Sequence, residues 1–174
     1  SPDLVKPAGP TDPTVSILSL RESGGRPIAV YSAYSLHYVG GVPKGDISAD
    51  YYGAFCERLE RLLQGDEQDP PMVALMANAS SGDINNINFR QPRPSKKPYE
   101  QIRFVAHDLA AKVQAALAKA EYHEQITLAA RFREMIVTRP RPTAEQIAWA
   151  KQTLTKPAPK PDQVNLPYSY ARSI

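Results

Sequence analysis

Thr14-Val-Ser-Ile-Leu-Ser-Leu20, Glu22-Ser-Gly-Gly25 and Pro27-Ile-Ala-Val-Tyr-Ser-Ala33 form the stretch whose reading decides the fold. The first run alternates apolar and polar residues, the period of two that sends successive side chains to opposite faces of a strand. The third resumes that pattern after a glycine-bearing turn, so an antiparallel strand pair is expected. Downstream, Ser48-Ala-Asp50 supplies the hydroxyl and carboxylate that open a helix. Tyr52, Phe55, Leu59, Leu62 and Leu63 then recur near helical spacing, and the helix is expected to stop before Gly65. Pro70 and Pro71 introduce Met72-Val-Ala-Leu-Met-Ala77, a continuous apolar run short enough to read as a buried strand.

The pattern continues toward the C-terminus. Tyr99–Ala120 is rich in alanine and leucine with a long helical period. Ile126–Arg139 alternates in part, with Leu128, Ala130 and Phe132 on one side, and reads as a long exposed-edged strand. Thr143-Ala-Glu-Gln146 matches a capping box and opens a helix through Thr153. Four prolines in 1–13 and four in 155–174 read as extended segments. Strands alternating with helices predict an α/β class: a mixed sheet with flanking helices and functional loops at the strand ends.

Composition narrows the function classes. The chain has 174 residues, 42% of them apolar, which is enough to bury the core of one domain or of a large part of one. Lys and Arg number 21 against 18 Asp and Glu, for a net charge of +3. The basic residues are scattered among acids, so no nucleic-acid partner is expected. Cys56 is the single cysteine, which excludes an intrachain disulfide. No apolar run approaches the ~20 residues of a bilayer span. Residues 1–13 lack a signal-peptide pattern, so an export signal is expected only upstream of this chain.

Two loops carry candidate chemistry. Tyr31-Ser-Ala-Tyr-Ser-Leu-His37-Tyr-Val-Gly-Gly41 sets a histidine just past a strand, beside glycines that let backbone approach a ligand. Residue type alone leaves His37 open between a structural hydrogen-bonder and a metal ligand. His107 and His123 lie on or beside a helix of ordinary surface residues, without a partner at metal-site spacing. Ser80-Ser-Gly-Asp83-Ile-Asn-Asn86 combines hydroxyls, a carboxylate and amides suited to orienting a polar substrate, and reads first as a hydrogen-bonded turn. No Gly-x-Ser-x-Gly elbow surrounds Ser80 or Ser81. Arg90, Arg93, Lys96 and Lys97 form a short basic connection between prolines, and a phosphate-binding module centred there is a separate reading.

Three segments in order resemble the neutral/alkaline ceramidase family: the strand pair leading to His37, then Ile47-Ser-Ala-Asp-Tyr-Tyr-Gly53, then Met76–Asn86. The resemblance covers Thr14–Asn86 and is loose beyond it. It implies that residues 1–174 are an internal part of one catalytic domain, within a larger layered hydrolase that cleaves a linear amide such as an N-acyl sphingoid. It also implies a zinc cofactor with His37 as a ligand, Asp83 and Asn85 in catalytic positions, and Ser81, Gly82 and Asn86 on the substrate. Ser48 and Asp50 would support that loop. Where the family carries Gly-Asp-Val-Ser-Pro-Asn, this chain has Gly82-Asp-Ile-Asn-Asn86, so the family's serine corresponds to Asn85. An asparagine amide hydrogen-bonds a carbonyl but is no alkoxide nucleophile. The alternative is therefore a catalytically inactive ceramidase-like domain that binds a carbohydrate, lipid or protein ligand.

A catalytic zinc takes three protein ligands and an open position. One convincing donor implies that the rest of the site comes from the remainder of the parent polypeptide, and that this chain alone is inactive. The resemblance further implies a secreted or periplasmic protein acting on an N-acyl lipid, with peripheral contact at a membrane surface and no transmembrane span.

Overall fold

The computed structural model describes residues 9–82, 84–91, 94–138, 140–160 and 163–174. The chain divides into two compact units, Ser1–Ile126 and Thr127–Ile174. In the first, β1 (Val15–Arg21), β2 (Pro27–Tyr34) and β3 (Val73–Asn78) form a sheet, with α1 (Asp50–Leu62) between β2 and β3 and α2 (Glu100–Leu117) after them. The sheet order is β1-β2-β3. β1 and β2 are antiparallel, whereas β2 and β3 run parallel. The mixed α/β class expected from sequence is the observed one.

Each element follows from a local cause. The β1–β2 turn closes as the Gly25 N–H donates to Glu22 O at 2.8 Å and the Glu22 N–H donates to Arg26 O at 2.9 Å. A parallel neighbour needs a crossover longer than a hairpin, and α1 provides it. Its Tyr51, Phe55 and Leu59 recur every four residues on one face and are fully buried. The sequence reading put Tyr52 on that face; Tyr51 holds the central position and Tyr52 is half-buried beside it. α1 packs on β3 and on α2, whose Ile102, Ala106, Leu109 and Val113 face it. Polar ties fix the layers: Glu60 Oε1 accepts from the Ala74 N–H at 2.9 Å, and Gln114 Nε2 donates to Leu62 O at 2.9 Å.

The two faces of the sheet differ. Val30, Ser32 and Ala74 point into the layer covered by helices and are buried. On the opposite face Leu18, Tyr31 and Leu75 lie side by side across the three strands and are exposed. One face of the sheet therefore supplies the core, and the other is bare among the described residues.

In the second unit α3 (Ala144–Leu154) and α4 (Leu166–Ser173) pack together. The Thr143 hydroxyl accepts from the Gln146 N–H at 3.2 Å while the Gln146 side chain accepts from the Thr143 N–H at 2.8 Å, the reciprocal capping box read from sequence. Two expectations are corrected here. The strand expected over Ile126–Arg139 is not formed over 126–138, where among the described residues no strand lies alongside to complete a ladder; Arg139 lies outside the described residues. The 155–174 segment is not extended throughout, since α4 forms within it: Asn165 caps its start by accepting from the Tyr168 N–H at 3.1 Å, and Pro167 sits in the first turn, where its missing N–H costs nothing.

The buried face sets the stability of the first unit. Phe55→Ala is expected to destabilise it by about 3–5 kcal/mol through lost burial and a residual cavity. Leu18→Ala, on the bare face, is expected to change stability by less than about 1 kcal/mol. Urea midpoints of the two variants check this, and equal losses contradict the assignment of the faces.

Candidate functional site

The C-terminal end of β2 runs into the loop 35–45, and the conformation of that loop depends on Asp50. One Asp50 carboxylate oxygen accepts from the Val39 N–H and the other from the Gly40 N–H, each at 2.8 Å; Oδ1 also takes the Tyr51 N–H at 2.7 Å. Charge-assisted bonds of this kind are roughly twice as strong as neutral ones. Asp50 itself has φ of 53°, a left-handed conformation costly for most L-residues and better tolerated by Asp. Ser48 Oγ accepts the Asp50 N–H at 3.0 Å and steadies that turn. Gly40 and Gly41 take φ of 72° and 80°, which the loop's reversal requires.

Tyr51 closes the same corner from below, donating its hydroxyl to Leu36 O at 2.9 Å. Burial pushes its phenol well above the ordinary value, and the neighbouring Tyr52 hydroxyl adds to the effect. Gly53 completes the segment for a steric reason: a Cβ there would lie 2.9 Å from Ala49 Cβ. The spacing of Ser48, Asp50 and Gly53 thus has a full local account: a turn, a clamp and a close approach.

The second candidate loop meets the first through backbone. The His37 N–H donates to Ile84 O at 3.2 Å, and Asn86 Nδ2 reaches Val39 O at 3.4 Å. The two sequence-selected loops are neighbours, although 47 positions separate Val39 from Asn86. The His37 side chain is exposed, its ring 4.3 Å from that of Tyr38 between centroids. Asn85 is exposed, and its Oδ1 lies 3.4 Å from Asn86 Nδ2. Asn86 Oδ1 is buried without a hydrogen-bond partner among the described residues. Ser81 Oγ accepts from Asn78 Nδ2 at 2.8 Å, which ties it to the end of β3, and Gly82 is exposed with open space around it. Asp83 lies outside the described residues.

Zinc imposes a further requirement. The exposed His37 imidazole fits as one donor, but among the described residues no three His, Cys, Asp or Glu side chains group closely enough to hold a metal. Three protein ligands are the usual minimum for a catalytic zinc. The described residues do not build a complete metal site.

Sequence reading missed the contribution of Tyr99. Its hydroxyl donates to Asp46 Oδ2 at 2.6 Å and its backbone N–H to Gly41 O at 3.1 Å, so the start of α2 holds the far side of the glycine loop. The Asp46 carboxylate holds the Tyr99 phenol above its ordinary value of 10.0. No local signal marks a contact between positions 53 residues apart. A shallow depression lies within this frame, lined by Tyr38, Gly40, Val42, Asp46, Ser48 and Asp50 among others.

No protein-family model matches the chain, and no curated protein matches it. Among solved structures, neutral ceramidase from Pseudomonas aeruginosa aligns with a TM-score of 0.43 at 20% identity, over 62% of this chain and 16% of that one. The chain thus spans about one sixth of the length of the ceramidase it matches. Likeness at this level fixes neither a shared site nor a shared reaction.

Two outcomes follow from the clamp and its outer tie. Asp50→Ala is expected to destabilise the first unit by about 2–4 kcal/mol, because buried N–H groups lose a charged acceptor. It is also expected to speed amide exchange at Val39 and Gly40 before the rest of the sheet opens; exchange spread evenly over the sheet contradicts a local clamp. The Tyr99 tie depends on a protonated phenol. Its raised pKa contributes stability that is full below the ordinary phenol value and is lost as pH rises through the folded value. The stability difference between wild type and Tyr99→Phe is therefore expected to shrink above about pH 10, followed by denaturant melts across pH. A difference that grows with pH contradicts the bond.

Proposed function

We propose that this chain is part of a zinc-dependent hydrolase that cleaves a linear amide, with an N-acyl sphingoid or related lipid as the substrate class. The observation that carries the reading is the meeting of the His37 loop with the Ile84–Asn86 loop, joined by the His37 N–H to Ile84 O bond. These loops come from two of the three segments whose residues resemble the neutral/alkaline ceramidases.

In this reading His37 supplies one zinc ligand, and the other donors come from outside the described residues. Zinc, when bound, supplies Lewis acidity for amide cleavage. The chain's own contribution is positioning. Asp50 and Ser48 hold the loop that carries His37. Asn86 Oδ1, a buried acceptor without a partner among the described residues, suits the N–H of a bound amide. The exposed Asn85 amide offers a donor to the substrate carbonyl. Asp83 is assigned on sequence alone to orienting the attacking water. A peripheral membrane position is compatible with such a substrate; no helix among the described residues is long and apolar enough to cross a membrane.

A second reading has its own observation: Asn85 stands where the family pattern carries serine. It makes the domain a binder of an N-acyl lipid, carbohydrate or protein ligand without turnover. The two separate in the longer polypeptide that the hydrolase reading requires, by measuring bound zinc and hydrolysis of a panel of N-acyl amines. The hydrolase reading expects stoichiometric zinc, at least about tenfold weaker zinc binding in His37→Ala, and no turnover in that variant. Zinc-independent binding of an N-acyl amine without hydrolysis, unchanged in His37→Ala, overturns it in favour of the binding domain.

A further inference from the structure

The depression beside the glycine loop, lined by Tyr38, Gly40, Gly41, Val42, Asp46 and Ser48 among others, is framed by backbone in costly conformations. Two residues around it that are not glycine take left-handed φ, Asp50 at 53° and Tyr99 at 61°. Such residues persist only where surrounding bonds hold them, and they gather at functional sites. The amide clamp accounts for Asp50, whose oxygens are taken by three N–H groups. Tyr99 is held by its bonds to Gly41 O and Asp46 Oδ2, and the second of these fixes the direction of the Asp46 carboxylate.

Several groups in the depression have bonding capacity to spare. Among the described residues Asp46 Oδ1, the Gly41 N–H and the Tyr38 hydroxyl have no hydrogen-bond partner, and the Ser48 hydroxyl accepts a bond without donating one. The Tyr38 ring is 62% exposed and supplies a flat apolar wall. A charged acceptor, two donors and an aromatic wall thus share a space of about 380 Å³, within the range of about 300–1,000 Å³ usual for small-molecule sites. A neutral sugar ring matches this set. Its neighbouring hydroxyls donate and accept, and its C–H face packs on an aromatic face.

Other occupants match less well. An organic ammonium is held best between several aromatic faces, whereas Tyr38 is the one aromatic side chain among the described lining residues, and the Gly41 and Ser48 donors oppose a cation. A hydrocarbon chain leaves Asp46 Oδ1 and both donors desolvated and unpaired. A second depression meets the first at Gly41 and is lined also by Ser95, Lys96, Lys97 and Gln101, which leaves room for a second, linked ring.

We propose that the depression between Tyr38 and Asp46 is a carbohydrate subsite. A pyranose ring packs on Tyr38, one of its hydroxyls donates to Asp46 Oδ1, and a neighbouring hydroxyl accepts from the Gly41 N–H. This inference is independent of zinc, of turnover and of the hydrolase reading.

The test titrates the full 174-residue chain with cellobiose, with choline and with inorganic phosphate, read by amide chemical shifts in nuclear magnetic resonance. Cellobiose is expected to shift the Gly40, Gly41 and Ser48 amides. Tyr38→Ala is expected to weaken its binding at least about fivefold, and Tyr38→Phe, which keeps the ring, to leave it within about twofold of wild type. Asp46→Asn keeps an acceptor for Tyr99 and removes the charged oxygen, and is expected to cost about three- to tenfold. Unchanged shifts over the β1–β2 hairpin show that each variant is folded. No response to cellobiose, choline bound as tightly as cellobiose, phosphate shifting the same three amides, or Tyr38→Ala binding as wild type each overturns the proposal.

Discussion

The Asp50 carboxylate is the constraint on which the candidate site depends. It gathers the N–H groups of Val39, Gly40 and Tyr51 and so joins the exit of β2 to the entry of α1. Without it those amides face one another without an acceptor, and the left-handed turn at Asp50 has nothing to offset its conformational cost. Everything beyond follows in space. Tyr51, fixed by the same turn, fills the core under Leu36, and the loop it supports presents His37 outward and its backbone toward Ile84. A carboxylate spent on three backbone amides is not a free metal ligand or base, so the part played by Asp50 is architectural.

This arrangement explains what was legible in the sequence and what was not. The β1–β2 hairpin, α1, β3, α2 and α3 are all local in cause: alternation, helical period, a glycine turn and a capping box each lie within a few residues. The element boundaries accordingly fall close to those read from the residues. The Ser48, Asp50 and Gly53 spacing was legible as helix-starting chemistry, but its reach back to Val39 and Gly40 was not, because an eleven-residue return is a tertiary contact. Tyr99 was invisible for the same reason at greater distance, and nothing in its neighbourhood in the chain points to Asp46.

Two errors have a common physical source. Alternation over Ile126–Arg139 reads as a strand, yet a strand exists only when another strand completes its ladder, and period alone does not provide one. Proline over 155–174 reads as an extended segment, yet proline is accepted in the first turn of a helix, as Pro167 shows. The first overestimates local pattern and the second underestimates local capping. The candidate site was legible only as two loops; that they touch is information of the fold.

The central claim is that Asp50 holds the His37 loop against the Ile84–Asn86 loop. Long-range scalar couplings across hydrogen bonds, measured by nuclear magnetic resonance on the isotope-labelled chain, test it most directly. The account predicts measurable coupling from the Val39 and Gly40 amide nitrogens to the Asp50 carboxyl carbon, and from the His37 nitrogen to the Ile84 carbonyl. Absence of all three couplings, with rapid solvent exchange at those amides while the β1–β2 ladder remains protected, would contradict it.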